Sequence, residues 1–353
     1  MITESEHGDH FIRLKNACNR ALSSDNLSDI KRTFLGIMNE MPKGDDVLYR
    51  AISDDMGHLI KSRSLERARH YSLSILRDIE AATTGNSNEF NFRLWKGYTD
   101  IRTDSLWLLG RRESESGQKA WYWGNFVPQI PRQMMMRYTK PGSWVLDPFC
   151  GSGTTLIEAA RLGRNALGIE INPDVYERVQ QTLSVENSES SGILLINGDS
   201  INVDFKDIMR HHQIDGFDLA LLHPPYWDII KFSDSPRDLS NASTLETFLE
   251  MFKTVAEKTI DVLNDDGYMA LVIGDAYRNG EIIPLGFRCM DIVNRMGLIT
   301  KGIIVKDIQN NRGKRNTENL WRYRALKSGF YIFKHEYIFV FIKTGKTKNG
   351  NSH

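Results

Sequence analysis

At 353 residues the chain is long enough for a full α/β domain and one smaller unit. Apolar residues make up 41% and charged residues 25%, and 45 basic side chains balance 45 acidic ones, so net charge gives no sign of a polyanionic partner. No run reaches the roughly 18 to 20 apolar residues of a membrane span, and the polar start MITESEHGDH is not a signal peptide. Cys18, Cys150 and Cys289 lie far apart without CxxC spacing, which excludes a disulfide framework and a structural zinc site. A cytoplasmic setting without metal is therefore expected.

Residues 1–85 read as helices, because Phe11, Leu14, Ala17, Cys18 and Leu22, then Leu65, Ala68, Leu73 and Leu76, recur at three- and four-residue steps. Met41-Pro42-Lys43-Gly44 breaks this region and Thr84-Gly85-Asn86 ends it, and residues 86–140 form a connecting segment. In residues 141–345 the pattern changes. Strands are expected at 144–147, 165–170, 193–197, 217–222, 268–274, 299–306 and 336–343. Helices are expected at 153–163, 173–186, 203–211, 244–264 and 284–296. This alternation predicts βαβ units and a mostly parallel, doubly wound seven-stranded sheet of the α/β class. No obvious helix joins the last two strands, which suits an antiparallel final strand. Residues 346–353 are a polar tail.

The first of these strands runs into Asp147-Pro148-Phe149-Cys150-Gly151-Ser152-Gly153-Thr154-Thr155 and then a helix. In open parallel sheets this first turn is the usual ligand site. Gly151 and Gly153 allow a tight bend and close approach to a ligand, and the helix N-terminus offers N–H groups to a carboxylate. Glu170 ends the second strand, where an acid can accept from both ribose hydroxyls. Asp199, after the third, can accept from an adenine amino group or simply cap its turn. A nicotinamide dinucleotide is the competing ligand, but Leu156 breaks the GxGxxG spacing. The acid that opens the turn, Asp147, instead suits a zwitterion whose amino group needs an acceptor.

The fourth strand ends in His223-Pro224-Pro225-Tyr226-Trp227. Consecutive prolines fix two φ angles and remove two donors, leaving carbonyls that can accept from a flat amino group. Tyr226 and Trp227 offer rings on which a base can stack.

At these residues the chain resembles the amino-methylating DNA methyltransferases of the N4-cytosine/N6-adenine group. DPFCGSGTT looks like their cofactor motif, and HPPY resembles their catalytic tetrapeptide. The resemblance spans about residues 120–343. It implies a Rossmann-like class I methyltransferase fold behind an N-terminal helical extension, with S-adenosyl-L-methionine as cofactor. Asp147, Pro148, Phe149, Gly151, Ser152, Gly153, Thr154, Glu170 and Asp199 are then cofactor-binding. Asn125-Phe126-Val127-Pro128-Gln129-Ile130-Pro131-Arg132, within a closing region 123–135, covers the methionine end, with Gln129 in contact. His223, Pro224, Pro225 and Tyr226 are the catalytic set: the Pro224 carbonyl and the His223 side chain hold the target amine, and Tyr226 stacks on the extruded base.

His223 departs from the Asp, Asn or Ser usual in the family. A neutral imidazole accepts through one nitrogen only, so activity is expected to fall as His223 protonates, near or below about 6.5. The inferred step is in-line attack by the amine on the sulfonium methyl group. No Pro-Cys is present for covalent catalysis, and Cys150 reads as a small packing residue. His335-Glu336 also resembles the family and is explained adequately by pinning of the last strand.

Between Lys301 and Lys334 nine basic residues face only Asp307 and Glu318, interleaved with Trp321, Tyr323, Phe330 and Tyr331. Such a mixture suits phosphates and bases, and reads equally as a solvated basic loop. Residues 307–335 are thus the candidate target-recognition segment, with Arg312, Lys314, Arg315 and Arg322, together with Lys231, as substrate contacts. The implied partner is double-stranded DNA. A cognate restriction endonuclease or other defence-system subunit is a further candidate partner, and the chain is expected as a monomer or homodimer. An RNA base amino-methyltransferase and a catalytically inactive nucleic-acid-binding subunit are the alternatives.

Overall fold

The structure is a computed structural model that describes residues 4–41, 47–84, 92–110, 122, 124, 127–186, 192–278, 281–308 and 318–345. The chain divides into two compact units, Met1–Arg102 and Thr103–His353. No helix among the described residues is long and apolar enough to cross a membrane.

Among the described residues the first unit holds four α-helices, α1 (Glu4–Ser23), α2 (Leu27–Glu40), α3 (Val47–Lys61) and α4 (Leu65–Thr84), and a short 3-10 turn at Phe92–Gly97. Each contributes an apolar stripe to one core, for example Leu14 and Cys18, Ile30 and Phe34, Ile52 and Met56, Ala68 and Ile75. The Asn26 side chain accepts from the backbone N–H groups of Ser28 and Asp29, which starts α2.

In the second unit the described residues form an eight-stranded sheet. Its strands are β1 (Leu106–Trp107), β2 (Trp144–Asp147), β3 (Asn165–Glu170), β4 (Ile193–Asn197), β5 (Phe217–Leu222), β6 (Leu263–Ile273), β9 (Ile299–Asp307) and β10 (His335–Ile342), and β7 (Ala276–Arg278) pairs with β8 (Glu281–Ile283) in a separate hairpin. The order is β1-β9-β10-β6-β5-β2-β3-β4. All main-sheet pairings are parallel except those of β10, which runs antiparallel to both β6 and β9.

Helices α5 (Gln129–Tyr138), α6 (Thr154–Arg161) and α7 (Pro173–Glu186) bring Met134, Leu156 and Val179 against Val145, Leu219 and Val340 on one face. On the other, α8 (Phe205–His212), α9 (Leu245–Val262) and α10 (Leu285–Arg295) bring Phe205, Phe248, Phe252 and Val293 against Leu146, Leu222 and Phe341. Successive strand residues thus serve opposite cores, so these strands read as continuous apolar runs.

Two expectations need correction. The sheet has eight strands rather than seven, because Leu106–Trp107 pairs in parallel with Val305 and Lys306 at its edge. Two residues are too short for a periodic signal. A helix, α11 (Glu318–Ser328), also lies between the last two strands. Its apolar residues Leu320, Tyr323 and Leu326 are exposed rather than gathered on a core-facing stripe, which hides it from periodicity.

Candidate active site

Strand order reverses between β2 and β5, and ligands of open α/β sheets sit at the carboxyl ends of the strands flanking such a point. A cavity of about 750 Å³ lies there. Its wall includes Pro148, Phe149, Cys150, Gly151 and Ser152 after β2, Glu170 and Ile171 after β3, and Asp199 to Ile201 after β4. His223, Pro224, Pro225 and Tyr226 after β5 border the same space.

The glycine turn is built by its own backbone and by Asp147. Gly153 has φ 75°, and a Cβ there would sit 2.6 Å from Val179 Cγ1, so both conformation and space demand glycine. Asp147 accepts from the Phe149 N–H at 3.0 Å and from the Thr155 hydroxyl at 2.5 Å. It is fully buried and does not border the cavity. This corrects its assignment as a cofactor acceptor: one oxygen holds the turn's own backbone and the other ties it to α6. Burial pushes its carboxyl up to about 7. Gly153 and Thr154 likewise lie behind the wall and act through the shape of the turn.

Glu170 does face the cavity. One carboxylate oxygen accepts from the Asn172 N–H at 2.8 Å, and burial, with Asp238 and Asp147 adding repulsion, raises the carboxyl to about 7. Asp199 takes the turn-capping role offered for it. It borders the cavity and also caps its turn, accepting from the Ile201 N–H at 2.9 Å and the Asn202 amide at 2.5 Å. Arg237 lies 3.7 Å from the same carboxylate.

Of the closing region, Gly124 and Val127 border the cavity; so does Tyr122, just before it, which stacks on Phe232 at 5.7 Å between centroids. Gln129 starts α5, is buried and is not among the residues that border the cavity. Asn125 and Phe126 lie outside the described residues.

In the loop after β5, His223 Nε2 lies 3.2 Å from the Tyr226 hydroxyl, which donates to Glu336 at 2.8 Å. Desolvation pushes the imidazole down to about 4, although the Glu336 carboxylate opposes this; Lys306 assists it. This lies on the lower side of the range expected for loss of activity, near or below about 6.5. Trp227 is corrected too. Its φ of 55° turns the indole inward, only 6% exposed, where Nε1 donates to the Ala242 carbonyl at 3.0 Å. Arg278 covers the ring at 4.6 Å from its centroid, so this indole offers no base-stacking face.

Lys231 is exposed, pairs with Asp234 at 2.6 Å and does not border the cavity. Arg322 lies exposed on α11, also away from the wall. Arg312, Lys314 and Arg315 fall outside the described residues.

Lys306 and Glu336 are cavity residues that the sequence reading did not place in the site. Glu336 was legible as half of His335-Glu336, but its partners lie 30 and 110 residues away.

Comparison with known proteins matches residues 78–181 and 217–353 to a family model described as DNA methylase, of the N6/N4 methyltransferase type. The type II methyltransferase M.Cfr9I of Citrobacter freundii is 31% identical over 120 residues, covering 29% of this chain and 38% of the relative. M2.DpnII of Streptococcus pneumoniae is 40% identical over 68 residues, covering 18% and 25% respectively. M.MjaII of Methanocaldococcus jannaschii is 42% identical over 52 residues, covering 15% and 10%. The matched stretches thus span only 10% to 38% of these relatives' lengths.

Proposed function

Because this chain belongs to the N6/N4 DNA methylase family, we propose that it transfers a methyl group from S-adenosyl-L-methionine to the exocyclic amino group of a base in DNA, at adenine N6 or cytosine N4. One observation carries the reading: a single cavity joins the glycine turn and Glu170 to the His223-Pro224-Pro225-Tyr226 loop.

The wall suits that cofactor. Glu170 offers a carboxylate acceptor to ribose hydroxyls, and Phe149, Ile171 and Ile201 offer apolar surface to a purine. When bound, S-adenosyl-L-methionine supplies a methyl group on a positively charged sulfur, open to attack by an amine.

The chain's own residues then work mainly by positioning. Pro224 and Pro225 have no N–H to compete, so carbonyls are the polar backbone groups they present to an amino group. His223, neutral across the ordinary pH range, adds an acceptor for the second amino hydrogen. Holding both hydrogens aims the nitrogen lone pair at the methyl group. The cofactor held beside Glu170 would supply the methyl group to that nitrogen and leave as a neutral thioether, and the displaced amine proton would pass to solvent. The Tyr226 ring, fixed through its hydroxyl, serves as the wall against which an extruded base rests.

Nucleoside mass spectrometry after incubating the protein and cofactor with separate unmethylated DNA and RNA pools tests this. N6-methyladenine or N4-methylcytosine in the DNA pool supports the proposal and identifies the base. Methylation confined to RNA replaces the substrate class, and cofactor binding without methylation of either pool overturns it.

A further inference from the structure

Four side chains from three separate stretches of chain meet behind the catalytic loop. Lys306 on β9 donates from Nζ to Glu336 Oε1 at 3.1 Å, and the two residues are register partners across the antiparallel β9–β10 pair. Glu336 Oε2 accepts from the Tyr226 hydroxyl at 2.8 Å, and that hydroxyl oxygen lies 3.2 Å from His223 Nε2. Lys306 and Glu336 are both buried, and all four residues border the cavity.

Pinning two strands does not require this arrangement. A buried ion pair contributes little net stability, because desolvation of both charges offsets their attraction, and apolar cross-strand neighbours would hold the register as well. What the pair does supply is a direction. The Glu336 carboxylate, one oxygen on Lys306 and the other on Tyr226, can only accept. A phenol has one proton, and Tyr226 gives it to Glu336. Its oxygen can then interact with His223 only as an acceptor, so Nε2 must carry the hydrogen. In a neutral imidazole that places the lone pair on Nδ1.

We propose that Glu336, anchored by Lys306, is a positioning residue for base methylation: through the Tyr226 hydroxyl it fixes His223 as the Nε2–H tautomer, which makes Nδ1 the nitrogen that accepts from the target amine. The amine contact rests on the methyl-transfer reading above, whereas the tautomer is a property of the protein alone.

The test is a long-range ¹H–¹⁵N correlation spectrum of the full chain labelled with ¹⁵N-histidine, with His223 assigned by its disappearance in His223→Asn. The wild-type protein is expected to show a protonated Nε2 and an unprotonated Nδ1. In Glu336→Gln the carboxamide keeps its oxygen for Lys306 and presents N–H to the Tyr226 oxygen. Tyr226 then donates to His223, and the spectrum should shift to the Nδ1–H form. In the same variant kcat on the methylated substrate should fall roughly 10- to 100-fold, with KM for the cofactor changed less than about twofold.

A wild-type Nδ1–H tautomer overturns the proposal, and so does a Glu336→Gln variant that leaves both spectrum and kcat unaltered. Should that variant fail to fold, the wild-type spectrum still decides the tautomer. An Nε2–H spectrum in a protein that methylates neither DNA nor RNA overturns the methyl-transfer reading and the amine contact, leaving the tautomer assignment standing.

Discussion

Lowering the pH from 8 to 6 should weaken cofactor binding about tenfold, and Glu170 should account for it. Burial holds this carboxyl near 7. It is then about one-tenth ionised at pH 6 and nine-tenths at pH 8, and a ribose diol binds the ionised form as a charge-assisted acceptor. Without ligand the same shift acts on stability in the opposite sense. A raised carboxyl contributes stability that is complete below its unfolded value of about 4.3 and is lost as pH rises through about 7, on the order of 3 kcal/mol. Binding therefore recovers what ionisation costs. The assay is calorimetric titration with 5′-methylthioadenosine, which keeps the ribose and purine but lacks the titrating amino acid end. Glu170→Gln should bind roughly 10- to 100-fold more weakly at pH 8, from loss of a hydrogen bond to a charged group, and should show no slope between pH 6 and 8. A flat wild-type profile, or an undiminished slope in Glu170→Gln, would refute the assignment. Asp147, also raised to about 7, should not contribute because it faces α6 and not the cavity.

At saturating cofactor the single-turnover methylation rate should stay level from pH 8 to 5 and fall only toward about 4, where the desolvated His223 gains its proton; an inflection near 6.5 would mean a solvated imidazole. Trp227→Ala should cost about 3–5 kcal/mol of stability, read as a lower Tm, because the indole is a core group. An unchanged Tm with a raised KM for DNA would restore it to base stacking. Gly153→Ala should lower Tm and weaken cofactor binding, since the left-handed φ costs about 1–2 kcal/mol and the new methyl group meets Val179. Gly163→Ala is the control, with a similar φ of 66° and its nearest neighbour at 3.9 Å, and should lose only the conformational share. Equal losses in the two variants would show that the Val179 contact yields freely.

The parallel sheet, its antiparallel last strand, the glycine turn and the Pro-Pro-Tyr loop were all legible in the sequence. Each depends on a chain segment and its near neighbours. Apolar runs of strand length mark doubly covered strands, glycine at Gly153 marks a left-handed turn, and paired prolines restrict the backbone whatever surrounds them. Tertiary structure decided which way side chains face and what they meet. Asp147 turns inward to Thr155, and Trp227 turns inward to Ala242 through one left-handed residue. Neither direction follows from the motif letters. Lys306 and Glu336 enter the site because β9 and β10 place them opposite one another and beside a tyrosine 110 residues from Glu336. Local sequence specifies the geometry of each loop, but a hydrogen-bond partner across the sheet exists only once strand order and register bring distant residues within about 3 Å.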